Sequence, residues 1–134
     1  MIDVVSCVLI NDEGKFLILK RSDKVRTYKG IWGGVTGYVE EGEEPYETAI
    51  KEIREEVGIT DITLVKKLDP IKFSDVYEGL KYNWNIFPFL FKTEKKDKVN
   101  IDWEHLQYCW IALSEISDFD TVPCFEKIVS KLLQ

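Results

Sequence analysis

Three glutamates near the end of one predicted helix suggest a specific chemistry. Glu52, Glu55 and Glu56 are separated by three and four residues, so they share one face of a helix. Like charges at these spacings repel each other by roughly 0.2–0.5 kcal/mol per pair. The negative end of the helix dipole adds about 0.3–1 kcal/mol for each exposed acid. Carboxylate oxygens suit Mg²⁺ or Mn²⁺. The residues alone leave two interpretations open, a divalent cation site and a solvated acidic face.

The helix that carries these acids has recognisable ends. Pro45 is tolerated in a first helical turn, where its missing N–H has no partner to lose, and Gly58 is typical of a helix end. Apolar residues recur between them at spacings of three and four, which predicts one face directed at a core. These residues are Tyr46, Ile50, Ile53 and Val57.

The segment Gly37–Ile59, GYVEEGEEPYETAIKEIREEVGI, resembles the signature of the Nudix hydrolase family, G-x5-E-x7-R-E-U-x-E-E-x-G-U, in which U is a bulky apolar residue. The matching residues are Gly37, Glu43, Glu52, Ile53, Glu55, Glu56, Gly58 and Ile59. The one departure is Lys51, where the family usually carries an arginine that pairs with the first glutamate, here Glu43. Lysine keeps the charge but loses the planar, two-pronged donor, which affects the rigidity of the loop–helix junction.

The resemblance implies a fold, a reaction and a set of metal ligands. The fold is α/β, an α/β/α sandwich with a mixed central sheet. The reaction is hydrolysis of an X–diphosphate–Y compound by water, with Mg²⁺ or Mn²⁺ as cofactor. Glu52 and Glu56 are the principal metal ligands by this resemblance, and Glu55 is a further ligand or contacts a water. The carbonyl of Thr36, just before the first motif glycine, is another candidate ligand.

Candidate residues outside the motif are an acid, two bases and a tryptophan. Glu104 lies where several relatives carry a general base or extra ligand, although an ordinary loop acid is an equal alternative. The basic segment Lys20–Lys29 offers phosphate ligands, with Arg21 preferred and Lys29 as a second candidate. A solvated basic loop is the alternative. Trp32 is a candidate for stacking on a base or pterin ring, as an alternative to packing in the core. Other aromatic residues with the same two options are Tyr28, Tyr77, Tyr82 and Trp84.

Three functions compete at this point. The first is hydrolysis of a nucleoside or pterin triphosphate, and the segment from Trp32 to Glu43 is similar to that of dihydroneopterin triphosphate pyrophosphohydrolases. The second is hydrolysis of ADP-ribose or a dinucleoside polyphosphate. The third is a non-enzymatic Nudix domain that senses a nucleotide. The intact glutamates favour an enzyme.

Composition narrows the class of protein. The 134 residues suit one domain over 1–134, and the net charge of −6 is concentrated in residues 40–56, which hold eight glutamates against Lys51 and Arg54. Because no basic run or basic amphipathic helix dominates the chain, neither long nucleic acid nor a membrane surface is an expected partner. No apolar run approaches the ~18 residues of a membrane span. The three cysteines lack CxxC spacing and suggest reduced thiols in the cytoplasm. Oligomeric state is open, with a homodimer as one option.

The remaining pattern alternates strands and turns and ends in a helix. We predict a hairpin from Val4–Ile10 and Phe16–Leu19, then one strand over Ile62–Phe73 that is interrupted near Asp69-Pro70. Later elements are a polar turn over Ser74–Lys81, a strand over Tyr82–Phe91 whose Pro88 indicates an edge or a bulge, a strand over Leu106–Leu113, and an amphipathic helix over Val122–Leu133.

Overall fold

A computed structural model covering Met1–Gln134 shows an eight-stranded mixed sheet with one helix on each face. The strands are β1 (Ile2–Ile10), β2 (Phe16–Arg21), β3 (Trp32–Gly33), β4 (Val35–Tyr38), β5 (Ile62–Lys67), β6 (Ile71–Tyr77), β7 (Leu80–Thr93) and β8 (His105–Ile111). The helices are α1 (Pro45–Val57) and α2 (Phe125–Leu132), with short 3₁₀ turns at Lys96–Lys98 and Leu113–Asp118. Neither α-helix combines the length and apolar content needed to cross a membrane.

The sheet is built around β1. This strand runs parallel to β7 and antiparallel to both β2 and β4. On the far side of β7 lie β5 and β6, both antiparallel to it. Strand β2 pairs antiparallel with both β3 and β8, which lie on its opposite edges because Leu19 and Lys20 are in register with residues of each. The predicted β1–β2 hairpin and the mixed sheet are therefore confirmed.

Successive side chains of a strand point to opposite faces of the sheet, and each face carries its own hydrophobic core. On β1, Val5, Cys7 and Leu9 face α1, whereas Val8 faces α2. The helix residues buried against these two faces are Ala49, Ile53 and Val57 from α1, and Phe125, Ile128, Val129 and Leu132 from α2. Each fully buried large apolar side chain contributes roughly 1.5–3 kcal/mol. The predicted α/β/α sandwich is confirmed.

Helix α1 begins and ends where its sequence indicates. Pro45 is the first helical residue, and Gly58 takes a left-handed φ of +73° while its N–H donates to the Arg54 carbonyl. The predicted apolar face is wrong for Tyr46, which is 46% exposed. Its ring lies at the margin of the core, with its centre 6.2 Å from that of the Phe89 ring. In the first turns of α1 the apolar residue that is fully buried is Ala49 instead.

The predicted polar turn over Ser74–Lys81 is wrong, although the predicted interruption before it is confirmed. Strand β6 continues to Tyr77, β7 begins at Leu80, and only Glu78 and Gly79 form the turn. Both turn residues have positive φ, which is the conformation of a two-residue type I′ hairpin. Side chains of β6 alternate between exposed and half-buried, so half of this strand is polar and resembles a loop in sequence.

Pro88 lies in an interior strand rather than at an edge. It is in register with Ser6 of β1, and on its other side the Leu68 N–H donates to its carbonyl at 3.1 Å. Since the nitrogen and carbonyl of a strand residue point the same way, the missing N–H of Pro88 faces the gap between β5 and β6. The interruption predicted at Asp69-Pro70 is what makes this proline tolerable.

Candidate active site

A cavity of about 580 Å³ lies beside α1, and two groups of side chains line it. We call the first group the charged wall: Arg21, Lys24, Arg26, Glu52 and Glu104. We call the second group the aromatic wall: Tyr28, Tyr38, Phe73, Trp84 and Phe125. A concave site with one charged and one apolar lining is typical of sites for small polar ligands that also carry a ring.

Three carboxylates converge at the charged wall. Glu52, Glu56 and Glu104 each present an oxygen within 4.8 Å of the oxygens of the other two. Glu56 is 1% exposed, and its Oε2 has no hydrogen-bond partner. Glu55, on the same helix, is exposed and lies outside this trio. Because a buried carboxylate oxygen without a partner is costly, the arrangement fits a bound divalent cation.

Glu104 reaches α1 because the segment of residues 100–105 is fastened at both sides. Toward α1, the Asn100 N–H donates to the Val57 carbonyl at 2.9 Å, and the Asp102 N–H donates to the Glu56 carbonyl at 3.2 Å. Toward β2, the Ser22 N–H donates to the Glu104 carbonyl at 2.8 Å. These backbone bonds bring together two parts of the chain that are distant in sequence.

The acidity of the trio is strongly altered by its surroundings. Burial raises the pKa of Glu56 well above its usual value, and Glu104 and Glu52 raise it further. Burial also raises the pKa of Glu104 to about 7, with Asp102 and Glu52 adding to the effect and Arg21 opposing it. Burial is the main cause of the raised pKa of Glu52 as well. Three carboxylates so close together resist full ionisation unless a cation compensates them.

Gly37 makes room for Glu52. A Cβ at this position would overlap the Glu52 Cγ and lie 2.5 Å from its Cδ, so any larger residue would displace the carboxylate. The first glycine of the motif is therefore required by close packing rather than by an unusual φ.

The predicted pair between Lys51 and Glu43 is confirmed. The Lys51 Nζ lies 2.7 Å from the Glu43 Oε2. The other oxygen of Glu43 accepts hydrogen bonds from the Glu40 N–H and the Thr48 hydroxyl, each at 3.0 Å. The loop–helix junction is therefore well ordered despite the lysine, because backbone and hydroxyl donors supply the remaining hydrogen bonds to Glu43.

Arg21 is held rigidly inside the cavity. Its Nε donates to the Thr27 carbonyl at 3.0 Å, and its Nη1 donates to the Thr36 hydroxyl at 3.3 Å. Burial lowers the pKa of Arg21, whereas Glu56 and Glu104 raise it, and the guanidinium remains charged. The structure thus brings two predicted site residues, Arg21 and Thr36, next to the carboxylate trio.

Two predicted substrate-binding residues do not line the cavity. Lys29 is exposed, and its backbone N–H donates to the Tyr77 hydroxyl at 3.1 Å. Trp32 packs its ring against Phe119, with ring centres 5.2 Å apart. The basic side chains that do line the cavity beside Arg21 are Lys24 and Arg26. Binding roles for Lys29 and Trp32 stay predictions.

Sequence reasoning gave no role to His105, which the structure places against the trio. Its side chain is 1% exposed, with Nε2 3.6 Å from the Glu56 Oε1 and Nδ1 3.4 Å from the Asp102 Oδ1. Burial lowers the pKa of His105 despite the opposing effect of Asp102, so the imidazole is neutral at pH 7. The available signal was that the only histidine of the chain directly follows Glu104.

Comparisons with known proteins agree with this geometry. A family model of the NUDIX domain matches residues 2–132. Nucleoside triphosphatase NudI of Escherichia coli O139:H28 is 29% identical over 121 residues, which cover 87% of this chain and 86% of NudI.

Solved structures are similar over nearly the whole chain. The MutT protein from Methanosarcina mazei Go1 has a TM-score of 0.77 at 26% identity, covering 98% of this chain and 91% of that protein. The E. coli dihydroneopterin triphosphate pyrophosphohydrolase has a TM-score of 0.82 at 21% identity, with 98% and 94% covered, and this likeness concerns the fold alone. The signature segment, the sandwich around it and the match to the family model together show that the chain belongs to the Nudix family and is a Nudix pyrophosphohydrolase.

Proposed function

We propose that this protein is a divalent-metal-dependent pyrophosphohydrolase of nucleoside triphosphates, with pterin triphosphates as related substrates. The observation that carries the proposal is the carboxylate trio, in which Glu56 is buried and the half-buried Glu52 and Glu104 line a cavity with a basic and an aromatic lining. The similarity to a nucleoside triphosphatase supports the substrate class. For a nucleoside triphosphate, the products are the monophosphate and pyrophosphate.

The residues fit Mg²⁺ or Mn²⁺ as the cofactor. Glu52 and Glu56 would hold the ion, with the Thr36 carbonyl as a further ligand, and Glu104 would contact the ion through a water. The exposed carboxylate of Glu55 would contact water at the margin of the site. When bound, the ion compensates phosphate charge and lowers the pKa of a bound water.

Residues of the chain supply the other requirements of the reaction. Arg21, fixed by Thr27 and Thr36, would bind phosphate oxygens together with Lys24 and Arg26. Glu104, whose pKa is about 7, is suited to accept a proton from the attacking water near neutral pH. After hydrolysis, the pyrophosphate leaving group would lie beside the basic side chains of Arg21, Lys24 and Arg26.

A substrate panel tests the proposal. Nucleoside triphosphates, a pterin triphosphate, ADP-ribose and a dinucleoside polyphosphate are each incubated with Mg²⁺, and phosphate is measured after a coupling pyrophosphatase or phosphatase. We expect the triphosphates to be hydrolysed with release of pyrophosphate. Turnover confined to ADP-ribose or the dinucleoside compound would contradict the substrate class. Tight binding of a nucleotide with no turnover of any compound would indicate a sensor instead.

Two further expectations belong to this proposal. We place the protein in the cytoplasm, which its three free cysteines support. A homodimer stays a prediction from the sequence.

A further inference from the structure

The aromatic wall contains a buried hydrogen-bond donor without a partner. Trp84 is 8% exposed and lines the cavity, and its Nε1 is buried without any hydrogen bond. Native proteins leave few buried N–H groups unpaired, because each has lost its water without a replacement. An unpaired donor in a cavity wall is therefore a candidate contact for a ligand.

The orientation of this indole is fixed before any ligand binds. Trp84 lies in the central strand β7, and the ring of Tyr82 stacks on it with ring centres 5.0 Å apart and an angle of 2°. The ring of Tyr38, which also lines the cavity, lies 6.5 Å away at 33°. Because the ring packs on these two neighbours, the direction of its N–H is preset.

A hydrogen-bond acceptor lies close to this donor. The Tyr28 hydroxyl donates its proton to the Asp75 Oδ2 at 2.8 Å, so its oxygen keeps a lone pair for another donor. Burial, followed by Asp75, raises the pKa of Tyr28 to about 12. A hydrogen-bond interaction with Trp84 lowers that pKa, yet the contact does not meet the distance and angle of a full hydrogen bond, so a ligand acceptor can take its place.

The backbone of Tyr28 is also unusual. Its φ is +52°, in the left-handed region that bulky residues rarely adopt. Its ring packs on the ring of Tyr77, with centres 5.0 Å apart, so the loop that carries it is joined to the β6–β7 hairpin. Strained conformations of this kind cluster at active sites and ligand-binding sites.

We propose that Trp84 and Tyr28 recognise the heterocyclic base of the substrate. The Trp84 N–H donates to a ring nitrogen or carbonyl oxygen, and the Tyr28 oxygen accepts from a neighbouring N–H of the same ring. The ligand class is a nitrogen heterocycle with an acceptor and a donor side by side on its edge, as in nucleobases and pterins. This inference rests on the proposed function, since the charged wall would hold the phosphates of the same molecule.

The variant Trp84→Phe tests the donor directly. It keeps an aromatic ring against Tyr82 and removes only the N–H and part of the ring. We expect the KM for nucleoside triphosphates to rise about five- to tenfold with kcat within about twofold. The inhibition constant of inorganic triphosphate, which has no ring, should not change. The matched control is Trp110→Phe, because the Nε1 of Trp110 already donates to the Lys96 carbonyl at 3.3 Å and the residue does not line the cavity.

A second variant covers the case in which Trp84→Phe does not fold. Tyr28→Phe removes the acceptor oxygen and should also raise the KM for nucleotides while leaving inhibition by inorganic triphosphate unchanged. Unchanged nucleotide KM in the folded variants, or equal weakening of nucleotide and inorganic triphosphate, would overturn the inference while wild-type hydrolysis still supports the proposed function. A wild-type protein that neither hydrolyses nor binds any nucleotide in calorimetry would overturn both.

Discussion

The two walls of the cavity are built by different kinds of interaction. The charged wall gathers Glu52, Glu104 and Arg21 from three separate elements, and its acids repel one another until a cation arrives. The aromatic wall is formed mainly by rings already packed against neighbours, such as Trp84 on Tyr82. The charged wall is therefore unfavourable without ligand, whereas the aromatic wall is stable and leaves one donor free.

This difference separates turnover from selectivity. A phosphoanhydride is the same in every candidate substrate, so changes in the charged wall should lower turnover of all of them. The ring differs among substrates, so changes in the aromatic wall should alter KM according to the ring. The Trp84 and Tyr28 variants above test the aromatic side of this division, and three experiments test the charged side, beginning with the largest expected effect.

The substitution Glu56→Gln should remove most activity, because Glu56 completes the carboxylate trio with Glu52 and Glu104 of the charged wall. It keeps the size of the side chain and removes a charge that we assign to metal binding, so we expect kcat to fall at least about 100-fold with every substrate. Circular dichroism should show an intact fold, because burying the charge of Glu56 destabilises the protein and its removal does not. The comparison variant is Glu55→Gln, whose exposed position predicts a much smaller loss. A fully active Glu56→Gln enzyme would refute the metal assignment.

Without metal, the charged wall should make stability depend on pH. The pKa of Glu104 is raised from 4.5 to about 7 in the folded state, so folding disfavours its ionised form. Its contribution to stability is therefore fully present below pH 4.5 and is lost as the pH rises to about 7. We expect the Tm in EDTA to fall over this window, and Glu104→Gln to make the fall shallower.

Differential scanning fluorimetry from pH 4.5 to 8 measures this effect. Added Mg²⁺ at pH 7.5 should raise the Tm of the wild type more than that of Glu56→Gln. Identical pH profiles for the wild type and Glu104→Gln would contradict the electrostatic description of this wall.

The smallest effect concerns the junction that supports the charged wall. Lys51→Arg restores the usual family residue opposite Glu43, but the other oxygen of Glu43 is already bonded to Glu40 and Thr48. We expect a change in Tm of about 2 °C or less and a kcat within about twofold of the wild type. A large gain in either quantity would show that lysine weakens the junction.

The sequence predicts the charged wall better than the aromatic wall for a physical reason. Helical spacing alone places Glu52 and Glu56 side by side, so their relative position can be read from the local sequence. The aromatic wall depends on the pairing of β7 with β6 and on the path of the loop that carries Tyr28, which no local spacing describes. For the same reason the sequence could not choose within its own candidates: of the stacking residues it offered, Trp84 lines the cavity and Trp32 does not, and of the basic loop, Lys24 and Arg26 line it and Lys29 does not.

Errors in the predicted elements have similar origins. The polar face of β6 resembles a loop because a half-exposed strand needs only alternate apolar residues. The placement of His105 against Glu56 depends on backbone bonds between the segment of residues 100–105 and α1, which join positions far apart in the chain. The core face of α1, apart from Tyr46, was predicted from helical spacing, and strand β1 from its continuous β-branched and apolar run, because both signals are local.

The central claim is that the carboxylate trio holds a divalent cation, and a crystal soaked in Mn²⁺ tests it most directly. We predict an anomalous peak for Mn²⁺ within bonding distance of oxygens of Glu52 and Glu56, with Glu104 bound to the ion directly or through water. The peak should be absent from Glu56→Gln crystals. Three carboxylates turned away from one another with no peak between them would contradict the account.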